Sequence, residues 1–415
     1  MAVRNELRTG AGMSLRRVPA TPASAGEVFR LIHDDVANTR SEIGRQTGLS
    51  RTAVVARLSA LIGHGLVVET DSGPSTGGRP PSRVRFNAAG GVVLAAAIGR
   101  SRTQLAVCDL AGEPLIERNI DREVGAGPNV LMTLVAAALA DMLETTDRPA
   151  GAVRGIGVSL PGTVDIARGC SLSAPAMSGW DGVPLAPYLS APCLGAPYVG
   201  GLGDAPVYVD NDVNVMVLSE RRGHLRRFSD VLLVKASTGI GAGLVAGGVL
   251  LRGGLGAAGE IGHTRVPDAG GVRCRCGQVD CAETVAAGWA LVRALQEAGR
   301  PVSHIRDVVS MATAGDAEAV RLIREAGRRL GEVIAGAVNL LNPQALIIGG
   351  DMALAYDPLV AGLRETVYAN SAALSTRDLQ ILPATWGQRS GVIGCSAMVL
   401  DAVLSPPAVD AALVG

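Results

Sequence analysis

The stretch from Gly259 to Glu283, GEIGHTRVPDAGGVRCRCGQVDCAE, carries the tightest constraint in the sequence. His263 is followed by Cys274, Cys276 and Cys281, so three of the seven cysteines fall within eight residues, downstream of one of five histidines. The Cys-Arg-Cys turn sets two thiolates side by side, and the Gly-Gln-Val-Asp loop brings back the third. With the imidazole they form a Cys3His set, the donor set of a closed, structural zinc site rather than an open catalytic one. Whatever the chain folds into, these four side chains must converge. Glu260 and Glu283 flank them. A metal-clamped loop would hold both carboxylates still near His263, whose second ring nitrogen stays available for a hydrogen bond. Two fixed carboxylates and an oriented imidazole suit a polyhydroxylated ligand such as a sugar.

At 415 residues the chain has room for two or three domains. Its 38 basic and 38 acidic residues cancel, so no global field directs it to nucleic acid or a membrane. Lys235 is the sole lysine, which reads as a coding bias toward arginine with little functional weight. There is no run of about 18 apolar residues to span a membrane, and the arginine-containing N-terminus lacks an apolar export core. The cysteine cluster, with free thiols expected at Cys108, Cys170, Cys193 and Cys395, fits a reducing interior. A soluble cytoplasmic protein with no membrane partner is expected.

Local punctuation then divides the chain. Residues 1–22 read as a flexible basic tail. Ser24 with Glu27, and Thr39 with Glu42, are capping boxes that open two helices, and Gly48 suits the left-handed closure of the second. Ser50 caps a third helix with Val54, Leu58 and Leu61 on one face. Helix, glycine turn and helix make a helix-turn-helix, and two β-prone segments, Leu66 to Thr70 and Arg83 to Phe86, add a wing. On the third helix Thr52, Ala53, Ala56 and Ser59 are small enough to let it enter a major groove, with the cap Ser50 at its DNA-binding end. Arg51 would reach a guanine edge or a phosphate, and Arg57 a phosphate. Gly78 and Arg79, in Gly-Gly-Arg-Pro, suit an extended chain in a narrow minor groove. Met1 to Phe86 holds 12 Arg against 7 acidic residues, so the basic charge sits at this end.

The segments GEIGH with CxCGxxxCxE, TGLSRTAV and STGGRPP resemble the ROK family (repressors, open reading frames, kinases). The resemblance runs from Glu27 to about Leu404. It implies an α/β fold: a winged helix-turn-helix at 23–87, then a two-lobed, actin-like ATPase body of the ROK sugar-kinase type. Its lobes are expected at 88–205 and 206–385, with 386–415 a C-terminal helical segment returning to lobe 1. It further implies a double-stranded operator, a homodimer or homotetramer, structural Zn2+, and a sugar or phosphorylated sugar as effector.

The same resemblance assigns roles to particular residues. Kinases of the family carry an acid and a Gly-Gly-Thr turn in their first phosphate loop. This chain has Ala97, Arg100 and Ser101 at the acid, second-glycine and threonine positions, so a metal anchor and a close backbone approach to phosphate are gone. ATP-dependent phosphorylation is therefore not expected, and no residue is assigned a catalytic role. Arg100 would either greet an anionic group or lie solvated. Gly162 matches a turn of the sugar pocket, Ala176 replaces a sugar-contacting asparagine, and Asp212 takes the kinase-base position with Asn211 beside it. The expected effector contacts are Gly162, Asn211, Asp212, Glu260, His263 and Glu283. The reading is a sugar-responsive transcriptional regulator; the alternative is a glucokinase-like kinase with an added DNA-binding head.

Overall fold

The computed structural model of the chain describes residues 22–70, 83–172, 177–189 and 202–414. They form two compact units, one of Met1–Asn87 with Ser405–Gly415 and one of Ala88–Leu404.

In the first unit, α1 (Ala25–His33), α2 (Arg40–Thr47) and α3 (Arg51–Gly63) each begin where a side chain satisfies an orphan amide. Ser24 Oγ accepts from Glu27 N at 3.1 Å while Glu27 Oε2 accepts from Ser24 N at 2.8 Å, and Thr39 and Glu42 pair in the same way. Gly48, at φ 73°, ends α2 in the left-handed region, and Ser50 caps α3. Val28, Phe29, Ile32, Ile43, Val54, Leu58 and Leu61 bury the shared face. β1 (Val67–Thr70) and β2 (Arg83–Phe86) pair antiparallel, Val67 opposite Phe86, and Phe86 stands edge-on to Phe29 at 5.8 Å. Gly78 and Arg79, and the expected tail through Thr21, lie outside the described residues.

A helix at Pro406–Ala412 also belongs to this unit. Gly26 N donates to Asp410 Oδ1 at 2.7 Å, and a Cβ on Gly26 would stand 2.1 Å from the Pro406 carbonyl oxygen. The C-terminal segment expected as one piece at 386–415 is therefore divided after Leu404. The reason is local: two prolines after Ser405 start a fresh helix at its N-terminal positions instead of extending the one before.

The second unit repeats one plan twice. β3 (Val92–Ile98), β4 (Thr103–Asp109) and β5 (Pro114–Ile120) form an antiparallel meander. α4 (Pro128–Thr145) then crosses to β6 (Val153–Leu160), parallel to β3. The hairpin of β7 (Val164–Asp165) and β8 (Cys170–Ser171) and the short α5 (Ala186–Leu189) lead to β9 (Val207–Asn211), parallel to β6. Sheet order is β5-β4-β3-β6-β9. β9 was expected to open the second lobe at residue 206. It is instead the edge strand of the first sheet, because Val209 is buried in that lobe's core with Leu94, Val158 and Trp180. Trp180 is a packing residue, its Nε1 donating to the Val124 carbonyl at 2.9 Å.

After α6 (Asp212–Ser219), the second lobe follows with β10 (Val231–Ala236), β11 (Ile240–Ala246) and β12 (Val249–Leu251) as its meander. Helices α7 (Glu283–Ala286), α8 (Gly288–Glu297), α9 (Ile305–Thr313) and α10 (Ala317–Leu341) precede β13 (Ala345–Gly349). Then α11 (Tyr356–Asn370) and α12 (Ala373–Thr376) lead to β14 (Gln380–Pro383), giving the order β12-β11-β10-β13-β14 with the last two strands parallel to β10. This is the duplicated arrangement expected of an actin-like body. α13 (Ser390–Val403) returns to lie on β3, β6 and α6, while the Pro406–Ala412 helix is α14.

Close approach of α13 depends on missing side chains. A Cβ on Gly394 would stand 1.8 Å from the Val215 carbonyl oxygen, and one on Gly157 2.4 Å from that of Cys395. Gly394→Val should therefore destabilise the body by more than about 3 kcal/mol, beyond ordinary overpacking, because the obstacle is backbone. Chemical denaturation with fluorescence detection checks this; a midpoint within error of the parent would refute the packing argument. Among the described residues, no single helix is long and apolar enough to cross a membrane.

Candidate functional site

The cysteine loop is anchored by glycines. Gly259, at φ 95°, accepts from Ala242 N at 2.8 Å through its carbonyl, and a Cβ there would stand 1.8 Å from the Ala242 carbonyl oxygen. The strand-like bridges Arg265–Cys281 and Arg273–Val279 then fold the loop on itself. The donor atoms of His263, Cys274, Cys276 and Cys281 all lie within 4.8 Å of one another. Cys274 Sγ is 3.6 Å from His263 Nδ1, and Cys276 Sγ is 3.6 Å from Cys281 Sγ. Tetrahedral bonds of about 2.0–2.3 Å give donor–donor edges of about 3.6–3.8 Å, so the four side chains fit one metal ion. On the far side of the ring, His263 Nε2 is 3.8 Å from Glu260 Oε2, the carboxylate that would orient the imidazole.

The loop walls a cavity of about 490 Å³ that opens between the two lobes of the body. That volume is in the range of small-molecule sites. Gly162, Asn211, Asp212, Glu260, His263 and Glu283, the residues expected around an effector, all line it. Their local chemistry differs. Asn211 is already engaged by the protein: its Oδ1 caps α6 by accepting from Val213 N and Asn214 N, and its Nδ2 donates to the Gly162 carbonyl at 2.8 Å. It holds the Pro161-Gly162 turn in place. Glu283 is buried, accepting from Ile240 N at 2.8 Å and from Trp289 Nε1 at 3.3 Å, and so braces the second glycine turn. Glu260 is more open, with Thr163 Oγ1 at 3.4 Å. Burial, partly offset by His263 and reinforced by Asp212 and Glu283, holds the Glu260 carboxyl above the ordinary carboxylate range.

Asp212 was expected at the kinase-base position as an effector contact. It is ion-paired with Lys235, the residue set aside as compositional bias. The signal was available: a single lysine among 38 basic residues, at the end of a buried strand before a glycine turn, asks for a reason. Asp210, buried one residue upstream of Asn211, was also not singled out as an anchor. It takes Arg252 Nε at 2.9 Å and Nη2 at 2.8 Å, joining β9 of the first sheet to the residue after β12 of the second. His304 also links the two lobes, with Nε2 3.0 Å from Ser101 Oγ. Burial first, and Arg306 second, hold its imidazole below the ordinary histidine range.

At the end of β3 and in the turn after it, Ala97, Arg100 and Ser101 all line the cavity. The Arg100 guanidinium lies over the second glycine turn, Nη2 standing 3.0 Å from the place a Cβ on Gly239 would occupy. Ala176 and Cys193 lie outside the described residues, whereas Cys108, Cys170 and Cys395 are buried free thiols.

In the N-terminal unit, Ser50, Arg51, Thr52 and Ala56 are exposed along α3. Arg57 corrects an expectation. Its Nε donates to the Ala23 carbonyl at 2.6 Å and its Nη1 to the Ala53 carbonyl at 3.3 Å, so it braces α3 against the start of α1 instead of standing free for a phosphate.

With this geometry in hand, the ROK family model matches residues 93–402. The xylose repressor of Caldicellulosiruptor bescii is 27% identical, over 92% of this chain and 96% of that protein. A glucokinase of Halalkalibacterium halodurans is 31% identical, over 72% of this chain and 91% of that protein. Among solved structures, a ROK family transcriptional regulator, a homologue of the Escherichia coli MLC protein, superposes with a TM-score of 0.74 at 26% identity. That match covers 94% of this chain and 98% of that one.

Proposed function

The chain belongs to the ROK family, and from that premise we propose that it is a sugar-responsive transcriptional repressor acting in the cytoplasm. The observation that carries this is the reach of the regulator matches. They take in 92% and 94% of the chain, more than the body alone provides, whereas the glucokinase match takes in 72%. In this reading α3 enters a major groove through Ser50, Arg51, Thr52 and Ala56, with Gly78 and Arg79 in the neighbouring minor groove. Paired heads on a palindromic operator imply a homodimer or homotetramer.

The effector cleft is walled by a loop that His263, Cys274, Cys276 and Cys281 hold through Zn2+, whose four positions the protein fills itself. Bound zinc supplies a cross-link and no reactive coordination site. A sugar between the lobes stabilises whichever lobe arrangement it fits best and changes operator affinity by that preference alone.

The kinase reading is supported by the glucokinase match and by Asp212 lining the cavity with Glu260 and His263. Against it, Asp212 is neutralised by Lys235, and Ala97 and Arg100 stand where a metal anchor and a glycine would serve phosphate. No ATP-dependent turnover of any hexose or pentose is expected in a coupled assay, and measurable turnover would reverse this choice.

For DNA, Arg51→Ala should weaken binding to the operator selectively, by about ten- to hundredfold for a lost base contact. Arg79→Ala should weaken specific and non-specific DNA alike and flatten the salt dependence. Fluorescence anisotropy on operator and scrambled duplexes tests both, and two unaffected variants would sink the winged-head assignment.

A further inference from the structure

Around the rim of the cavity, every nearby carboxylate already has a partner while three guanidinium groups do not. Asp212 is paired with Lys235, Glu283 accepts from Ile240 N and Trp289, and Asp351 accepts from Ser237 Oγ. Glu260 faces His263 and Thr163, and Asp307 caps Ser303 and His304. Arg100, Arg102 and Arg306 line the same cavity with no ion pair among the described residues, and Arg100 Nη1 is buried without a hydrogen-bond partner.

Ser101 adds a donor. His304 Nδ1 accepts from Arg306 N at 3.1 Å, so the neutral ring carries its hydrogen on Nε2 and donates to Ser101 Oγ. The Ser101 hydroxyl hydrogen is then free to point at a ligand. Arg100, Ser101 and Arg306 thus offer this cavity many donors and few acceptors, which hydroxyl groups can satisfy only in part and an anion satisfies more fully.

We propose that the effector is an anionic sugar, a phosphate monoester, whose phosphate sits against Arg100, Ser101 and Arg306 while its ring lies along Glu260 and His263. This rests on the reading of the cleft as a sugar site. It also gives Lys235 a purpose. A bare Asp212 carboxylate at the junction of sugar and anion would repel the phosphate, and the ammonium cancels that charge. A glycine changed to arginine and an aspartate neutralised by the sole lysine are independent changes with one electrostatic sense.

Isothermal titration of the full chain tests this with xylose, glucose, N-acetylglucosamine, their terminal phosphate monoesters, glucuronate, inorganic phosphate and ATP. At least one monoester should bind about ten- to hundredfold more tightly than its neutral parent, the gain expected of a charge-assisted pair, and more tightly than inorganic phosphate. Arg100→Gly should bring monoester and parent to within about twofold, with the loss falling mainly on the monoester, and Arg306→Ala should reduce the preference in part. Lys235→Met should weaken the monoester more than the parent.

A neutral sugar binding as tightly as its monoester overturns the inference and leaves the sugar cleft standing. So does a preference that survives Arg100→Gly. Tighter binding of glucuronate, or of ATP, than of any monoester assigns these donors to a different anion and refutes the phosphate-sugar assignment. Failure of every sugar and every ester to bind removes this inference together with the sugar cleft.

Discussion

Replacing Cys281 with serine is expected to empty the metal site and lower the melting temperature of the protein by roughly 5 °C or more. Cys281 Sγ is buried and lies 3.6 Å from Cys276 Sγ, so its loss removes one of the four tetrahedral donors. Free-standing zinc modules draw about 10–16 kcal/mol from the metal. Here the loop is partly held without it, by the Gly259 carbonyl on Ala242 N and by the Arg265–Cys281 and Arg273–Val279 bridges. A loss of about 3 kcal/mol or more is the reasonable share, in the class of effects caused by removing a metal or a disulfide. Elemental analysis should read about one zinc per chain in the parent and almost none in the variant. A chelator should reproduce the shift in the parent and do nothing further to the variant. A variant with full zinc content would break the assignment of the ligand set.

The second large effect separates two carboxylates that the sequence placed together. Glu283→Ala should cost about 2–3 kcal/mol of stability, because it strands the buried Ile240 N–H and the half-buried Trp289 Nε1–H. Glu260→Gln should cost less than about 1 kcal/mol, since its side chain is 39% exposed and its contacts are long. For ligand the ranking reverses: Glu260→Gln should weaken a bound sugar by about tenfold at nearly parental stability, the worth of one charged hydrogen bond. Urea titration alongside calorimetry distinguishes the pair. If both substitutions destabilise equally, Glu260 is a strut as well and the ligand role assigned to it fails.

Much of this was legible beforehand where chemistry is local. Capping boxes at Ser24 and Thr39, the left-handed Gly48 and the helix face of Val54, Leu58 and Leu61 depend on neighbours a few residues away, and the structure has them as expected. The cysteine loop was legible for the same reason: its donors lie close in sequence. What escaped was settled by residues far apart in the chain. Lys235 meets Asp212 across 23 positions, His304 meets Ser101 across 203, and Asn211 reaches back 49 positions to Gly162. Residue type alone could not reveal that Asn211 and Glu283 are already satisfied by protein groups, or that Arg57 holds the Ala23 carbonyl. The β9 boundary failed similarly, since a short strand's sequence does not say which of two sheets it joins.

The pairing of α14 with α1 bears on how the molecule is made. The helices of the N-terminal unit are made before the body, yet the surface of α1 around Gly26 is covered by Pro406 and Asp410, which emerge after it. During synthesis the N-terminal unit therefore waits, incomplete, until more than three hundred later residues have been translated, and a nascent chain stalled before Ser405 would carry α1 without its partner helix.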